Sequence, residues 1–220
     1  MKQRFGVSAT LVFGGVLAFP VLNPACALAD STEGPTITVK VLNLAKVSRS
    51  TLEKGQAVAS EIFSEAGIEL KWLNCPCEQS EQANFALRII PKLFGSTRST
   101  FRSDHLGFAA VSEDGGDLAT VFFDRVEALG KGGDLSSLLG LATAHELGHL
   151  LLGPRAHVDG GIMRPRWTRD SLRQVHRGGF FRFSPEQSQT MRHRLVKSLE
   201  LANRLAAESV SLGPREVTER

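Results

Sequence analysis

The chain is 220 residues long, 42% hydrophobic and 22% charged, with a formal net charge of +3. That apolar fraction with so small a charge excludes a disordered chain, and the length suffices for one domain with a real core. A mean hydropathy of −0.06, with the one long apolar run confined to the N-terminus, excludes a protein that crosses a membrane many times.

Lys2 and Arg4, the nearly charge-free stretch Phe5 to Leu22, and then Ala27-Leu28-Ala29 follow the order of a secretory signal peptide cleaved after Ala29. The expectation is a secreted or periplasmic protein with a signal at 1–29, a single domain at 30–209 and a polar tail at 210–220. Without residues 1–29 the chain has 191 residues and a net charge of about +1. That balance gives no ground for a nucleic-acid partner, and none for stable membrane insertion once the signal is gone. Cys75 and Cys77 stay in the mature chain, but no second cysteine pair exists to complete a zinc ribbon.

In chain order, residues 36–47 alternate and are β-branched, which predicts a strand. Ser50 and Glu53 have capping-box spacing, and Leu52, Ala57, Ile62 and Phe63 predict a helix ending near Gly67. Ile68 to Leu73, Phe85 to Ile90 and Gly107 to Val111 read as strands; Glu113 to Asp117 reads as a turn and Leu118 to Val126 as a fifth strand. Asp134 is placed to cap a helix running to about Leu152. Residues 153–166, rich in Gly and Pro, predict irregular chain, with a short helix over Thr168 to His176. Ser184, Pro185 and Gln187, with Phe183 as a staple, open a long helix to about Ala207. The expected class is α/β, one sheet layer followed by a mostly helical half.

The chemistry sits in the third helix, at His145-Glu146-Leu147-Gly148-His149. Side chains four apart share a helix face, so His145 and His149 can offer two imidazoles to one ion at about 2.0–2.1 Å, the usual Zn–N distance. Glu146, one position round the helix, ligates poorly but can take a proton from water beside the ion. A catalytic zinc needs a third protein ligand and an open position. Gly153-Pro154 ends the helix and turns the chain back, and His157 follows as the third candidate, with Asp159 in reserve.

His145-Glu146-x-x-His149, a Gly-marked turn, a downstream histidine and Gly161-Ile162-Met163-Arg164-Pro165 together resemble the metzincin clan of zinc endopeptidases, and the Met-x-Pro step resembles matrixins. The resemblance implies zinc held by His145, His149 and His157, Glu146 as general base, and Met163 in a Met-turn beneath the metal. It also implies a twisted mixed sheet of about five strands with a backing helix, an active-site helix and a long C-terminal helix. The sequence departs from the clan by one added residue on each side of Gly153 and by having no tyrosine. Thr120 stands where a matrixin structural-metal loop would supply histidine, so no second zinc is expected.

His105, His176 and His193 read as solvated side chains, and the run Arg164, Arg166, Arg169, Arg173, Arg177 and Arg182 as a solvated basic rim, the alternative being that Arg164 or Arg166 faces the cleft and binds a substrate carboxylate or stabilises the oxyanion. Trp167 is expected in the wall of the pocket. The resulting expectation is an exported zinc peptidase acting on a peptide or protein substrate laid antiparallel along Leu118 to Val126. The alternatives are an exported, non-proteolytic metal-binding protein, and a site in which Glu186 replaces His157.

Overall fold

The computed structural model describes residues 34–75, 82–93, 104–131, 134–168 and 181–211, all within one unit, Glu33–Arg220. The expected signal peptide, the second cysteine, nearly all of the short helix after Thr168 and most of the polar tail lie outside them.

Strand β1 (Thr36–Asn43) buries Ile37, Val39 and Val41, the alternation expected of a pleated strand. It ends four residues short of the predicted limit because Asn43 clamps the turn, accepting from the Val47 N–H at 2.9 Å and donating to the Val47 carbonyl at 2.8 Å. That turn delivers Ser48, not Ser50, as the cap of helix α1 (Arg49–Glu65): its Oγ accepts from the Thr51 N–H at 3.2 Å. Glu53 pairs instead with Arg49, and Ala59, not Ala57, lies on the buried face. Strands β2 (Glu69–Asn74), β3 (Phe85–Ile90), β4 (Gly107–Ser112) and β5 (Gly115–Phe122) complete a five-stranded sheet in the order β2-β1-β3-β5-β4. Four strands run parallel, and β4 closes one edge antiparallel to β5.

The turn between β4 and β5 is only Glu113-Asp114, so β5 begins three residues earlier than the pattern predicts and stops at Phe122. Phe123–Leu129, of which the sequence pattern places Phe123 to Val126 in the strand, is helix α2. Its cap residue, Phe122, makes no side-chain cap bond, so no start signal exists to read.

Helix α3 (Leu135–Leu152) begins as expected, with Asp134 Oδ1 accepting from the Ser136 and Ser137 N–H groups at 3.0 and 3.3 Å. Nearly every residue of α3 is buried, because it packs against α1, α2, strands β3, β4 and β5 and helix α4 (Pro185–Ser211). Helix α4 starts with the expected box: Ser184 Oγ accepts from the Gln187 N–H at 3.2 Å, and Gln187 Oε1 accepts from the Ser184 N–H at 3.0 Å. It runs four residues past the predicted end. Among the described residues no helix is long and apolar enough to cross a membrane. The whole is the mixed sheet with helices that the α/β expectation named.

Candidate metal centre

Three imidazoles converge at the C-terminal half of α3. His149 Nε2 lies 3.2 Å from His145 Nε2 and 3.0 Å from His157 Nε2, and the third side of the triangle is 3.3 Å. His145 and His149 reach it from successive turns of one helix. Gly153 then leaves the helix at φ 86°, a conformation that L side chains rarely adopt, and His157 arrives from the loop beyond.

The far ring nitrogens fix which face each imidazole presents. His145 Nδ1 sits 2.8 Å from the Ile162 carbonyl and His149 Nδ1 3.1 Å from the Gly153 carbonyl. A carbonyl only accepts, so each Nδ1 carries the proton and each Nε2 is a bare lone pair. Burial holds all three rings in the neutral form, pushing His145 down to about 3 and lowering His149 and His157. Bare lone pairs facing each other at 3.2 Å repel unless a cation lies between them. The donor set fits zinc: ligands about 2.05 Å from a tetrahedral ion stand about 3.3 Å apart.

Several elements brace this geometry. Val158 N–H donates to the Met163 carbonyl at 3.1 Å and Ile162 N–H to the Arg182 carbonyl at 2.9 Å, which aims the Ile162 carbonyl at His145. Met163 is fully buried beneath α3, and Gly148 makes the approach possible, since a Cβ there would stand 2.8 Å from the Met163 sulfur. The His145 ring meets Trp167 edge-on at 6.1 Å, and Trp167 packs on Phe181 at 5.0 Å. Gln187 Nε2 donates to the Ala156 carbonyl at 3.0 Å, holding the third-histidine loop from α4.

Glu146 is buried beside the triad, and burial alone pushes its carboxyl up to about 8. Room for it comes from Gly107, where a Cβ would stand 2.9 Å from Glu146 Oε1. Both groups line a cleft of about 330 Å³ that lies between the β4 wall and the segment carrying Pro154, His157, Pro165 and Trp167.

Among the described residues, His145, His149 and His157 form the one cluster able to hold a metal. Asp159 is exposed and stands outside it, and Glu186 is engaged at the start of α4, where Ser184 Oγ donates to it at 2.7 Å. Arg164 lies over the Phe181 ring, 5.0 Å from its centroid, rather than in the cleft lining, while Arg166 pairs with Asp104 at 3.6 Å. His193 is exposed, as expected. His105, expected to be solvated and no ligand, is half-buried, lines the cleft and stands outside the cluster. Nothing local in the sequence marks it, because the strand pairing that carries it there is non-local. The peptide track along Leu118 to Val126 is also corrected. Strand β5 is hydrogen-bonded on both sides, and among the described strands the edge beside it is β4.

No family model and no curated protein matches this chain. Among solved structures it is similar to a zinc-dependent peptidase from Methanocorpusculum labreanum, at TM-score 0.48 and 16% identity, covering 70% of this chain and 99% of that one. It is likewise similar to the archaemetzincin of Methanopyrus kandleri, at TM-score 0.49 and 12% identity, covering 76% of this chain and 98% of that one.

Proposed function

We propose that this chain is an exported zinc-dependent peptidase, a divergent member of the metzincin clan, that hydrolyses peptide bonds with Glu146 as general base. The observation that carries the reading is the pair of bare Nε2 atoms on His145 and His149, locked by carbonyls and joined by His157, beside a buried carboxylate in an open cleft. A purely structural metal site has no use for that carboxylate.

His145, His149 and His157 would hold the ion. Zinc, when bound, supplies Lewis acidity that polarises a carbonyl and acidifies water. Glu146 would accept the proton of the attacking water and return it to the leaving amine. Among the described strands β4 is the sheet edge that lines the cleft, so an extended peptide adds there antiparallel and is held through its main chain. Export rests on the signal-like segment at 1–29.

The test is cleavage of casein or a peptide library by the zinc-loaded mature chain. Glu146→Ala should lose at least a hundredfold in kcat with zinc content unchanged. A zinc-loaded wild type inert towards every peptide tried would instead favour the non-proteolytic metal-binding protein.

A further inference from the structure

We propose that Arg164 is a positioning residue for the cleft: its guanidinium seats Phe181, Phe181 seats Trp167, and Trp167 forms the wall against which a substrate packs. The inference rests on the peptidase reading above and adds a residue that stands outside the cleft lining.

The wall needs a support because of how the chain runs there. Pro165, Arg166 and Trp167 belong to neither a helix nor a strand, so no ladder of backbone bonds fixes the indole. Side-chain contacts hold it instead. The Trp167 ring meets His145 edge-on, at 6.1 Å and an interplanar angle of 83°, and lies 5.0 Å from the Phe181 ring at 31°. The first contact ties the indole to the metal centre, and the second gives it a broad aromatic surface to rest on.

Phe181 is itself buried, and its backbone is pinned, because the carbonyl of the next residue, Arg182, accepts from the Ile162 N–H at 2.9 Å. That bond fixes where the side chain starts. The turn of the ring is set by what bears on it. Arg164 Cζ stands over the ring 5.0 Å from its centroid, the same distance as the Trp167 ring. A guanidinium over an aromatic face is attracted by the negative face of the ring quadrupole. Arg164 is half-buried, and among the described residues its Nε, shut off from water, has no hydrogen-bond partner. A donor buried in that way costs stability, so the contact that the side chain is placed to make is the one with the ring.

Position along the chain completes the argument. Arg164 lies between Met163, buried beneath α3, and Pro165, which lines the cleft. Its backbone therefore belongs to the site, while its side chain reaches Phe181, which like Arg164 is absent from the cleft lining. Without the guanidinium the phenyl ring gains freedom to turn, and the indole moves with it. The ion's ligands keep their own supports, since the Ile162 carbonyl orients His145 at 2.8 Å. The loss therefore falls on substrate binding and spares the chemical step.

The experiment compares wild type, Arg164→Met, Arg164→Lys, Phe181→Leu and the Arg164→Met/Phe181→Leu pair, all loaded with zinc. Each carries Trp72→Phe, which leaves Trp167 as the indole that fluoresces. Turnover of one peptide gives kcat and KM, and acrylamide quenching reports access to the indole. Arg164→Met should raise KM about fivefold with kcat and zinc content unchanged, and should about double the quenching constant. Arg164→Lys keeps the charge but loses the planar stack, so it should fall between wild type and Arg164→Met. Phe181→Leu should reproduce the Arg164→Met effects, and the pair should add nothing to them, as residues acting in series do. Wild-type KM and quenching in Arg164→Met would overturn the proposal, as would a loss confined to kcat or additive effects in the pair. If Arg164→Met does not fold, Arg164→Lys decides, and wild-type KM and quenching there overturn the proposal equally. A wild type that cleaves nothing, with quenching that still follows this order, supports the seating of Trp167 and overturns the peptidase reading instead.

Discussion

Gln187 uses the two ends of one amide for different tasks. Its Oε1 accepts from Ser184 N–H at the start of α4, while Nε2 donates to the carbonyl of Ala156, just ahead of His157. Gln187→Glu keeps the first bond and loses the second, so it should weaken zinc binding about tenfold, measured by competition with a chromophoric chelator. Unchanged affinity would mean that the loop holds itself. Gly107 makes a separate prediction. A methyl group there would collide with the Thr120 carbonyl and stand 2.9 Å from Glu146 Oε1. Gly107→Ala should therefore cut kcat at least tenfold with the zinc-to-protein ratio preserved, which elemental analysis beside turnover will check. Overpacking at this site should also cost about 1–3 kcal/mol of stability.

Among the elements, α3 was the most legible in sequence because local signals agreed along it. Asp134 caps it, an apolar run continues through it, and Gly153 ends it. Asp134→Ala should destabilise the fold by about 1 kcal/mol in chemical denaturation without altering zinc stoichiometry. Helix α2 was illegible because apolar residues run from β5 across Phe122 and Phe123 with no cap between them. The cap of α1 is ambiguous in sequence for a related reason. Ser48 and Ser50 are equally good cap residues, and the choice is made by the Asn43 clamp on Val47. The histidine pair could be read from spacing within one helix. The roles of His105 and of the β4 edge could not, because they follow from the strand order β3-β5-β4, which no local pattern encodes.

For the whole molecule, metal and pH enter the same balance. Ligand linkage predicts that free zinc at a thousand times its Kd adds about 4 kcal/mol, so chelation should lower the Tm by about 10 °C in calorimetry. In the stripped protein the buried histidines and Glu146 act in opposite directions. The folded-state pKa of His145 lies near 3, far below its ordinary 6.5, so stability falls as pH drops from 6.5 towards 3. Glu146 lies near 8 rather than 4.5, so the folded form keeps a proton that the unfolded chain releases, and stability falls as pH rises from 4.5 to 8. Above pH 6.5 only the glutamate term remains. The metal-free protein should then be most stable near pH 6.5, and Glu146→Gln should flatten its alkaline decline in urea titrations. A decline that survives the substitution would assign the effect to another group.

The carbonyls that orient the two helix imidazoles, at Gly153 and Ile162, both belong to the stretch of chain that follows the helix. Taking the cation away therefore loosens a length of backbone as well as stopping chemistry. Arg155 lies in that stretch with its side chain 84% exposed. Brief trypsin treatment should nick the chelated protein there and spare the loaded one, so the digestion pattern becomes a direct readout of whether the ion is aboard.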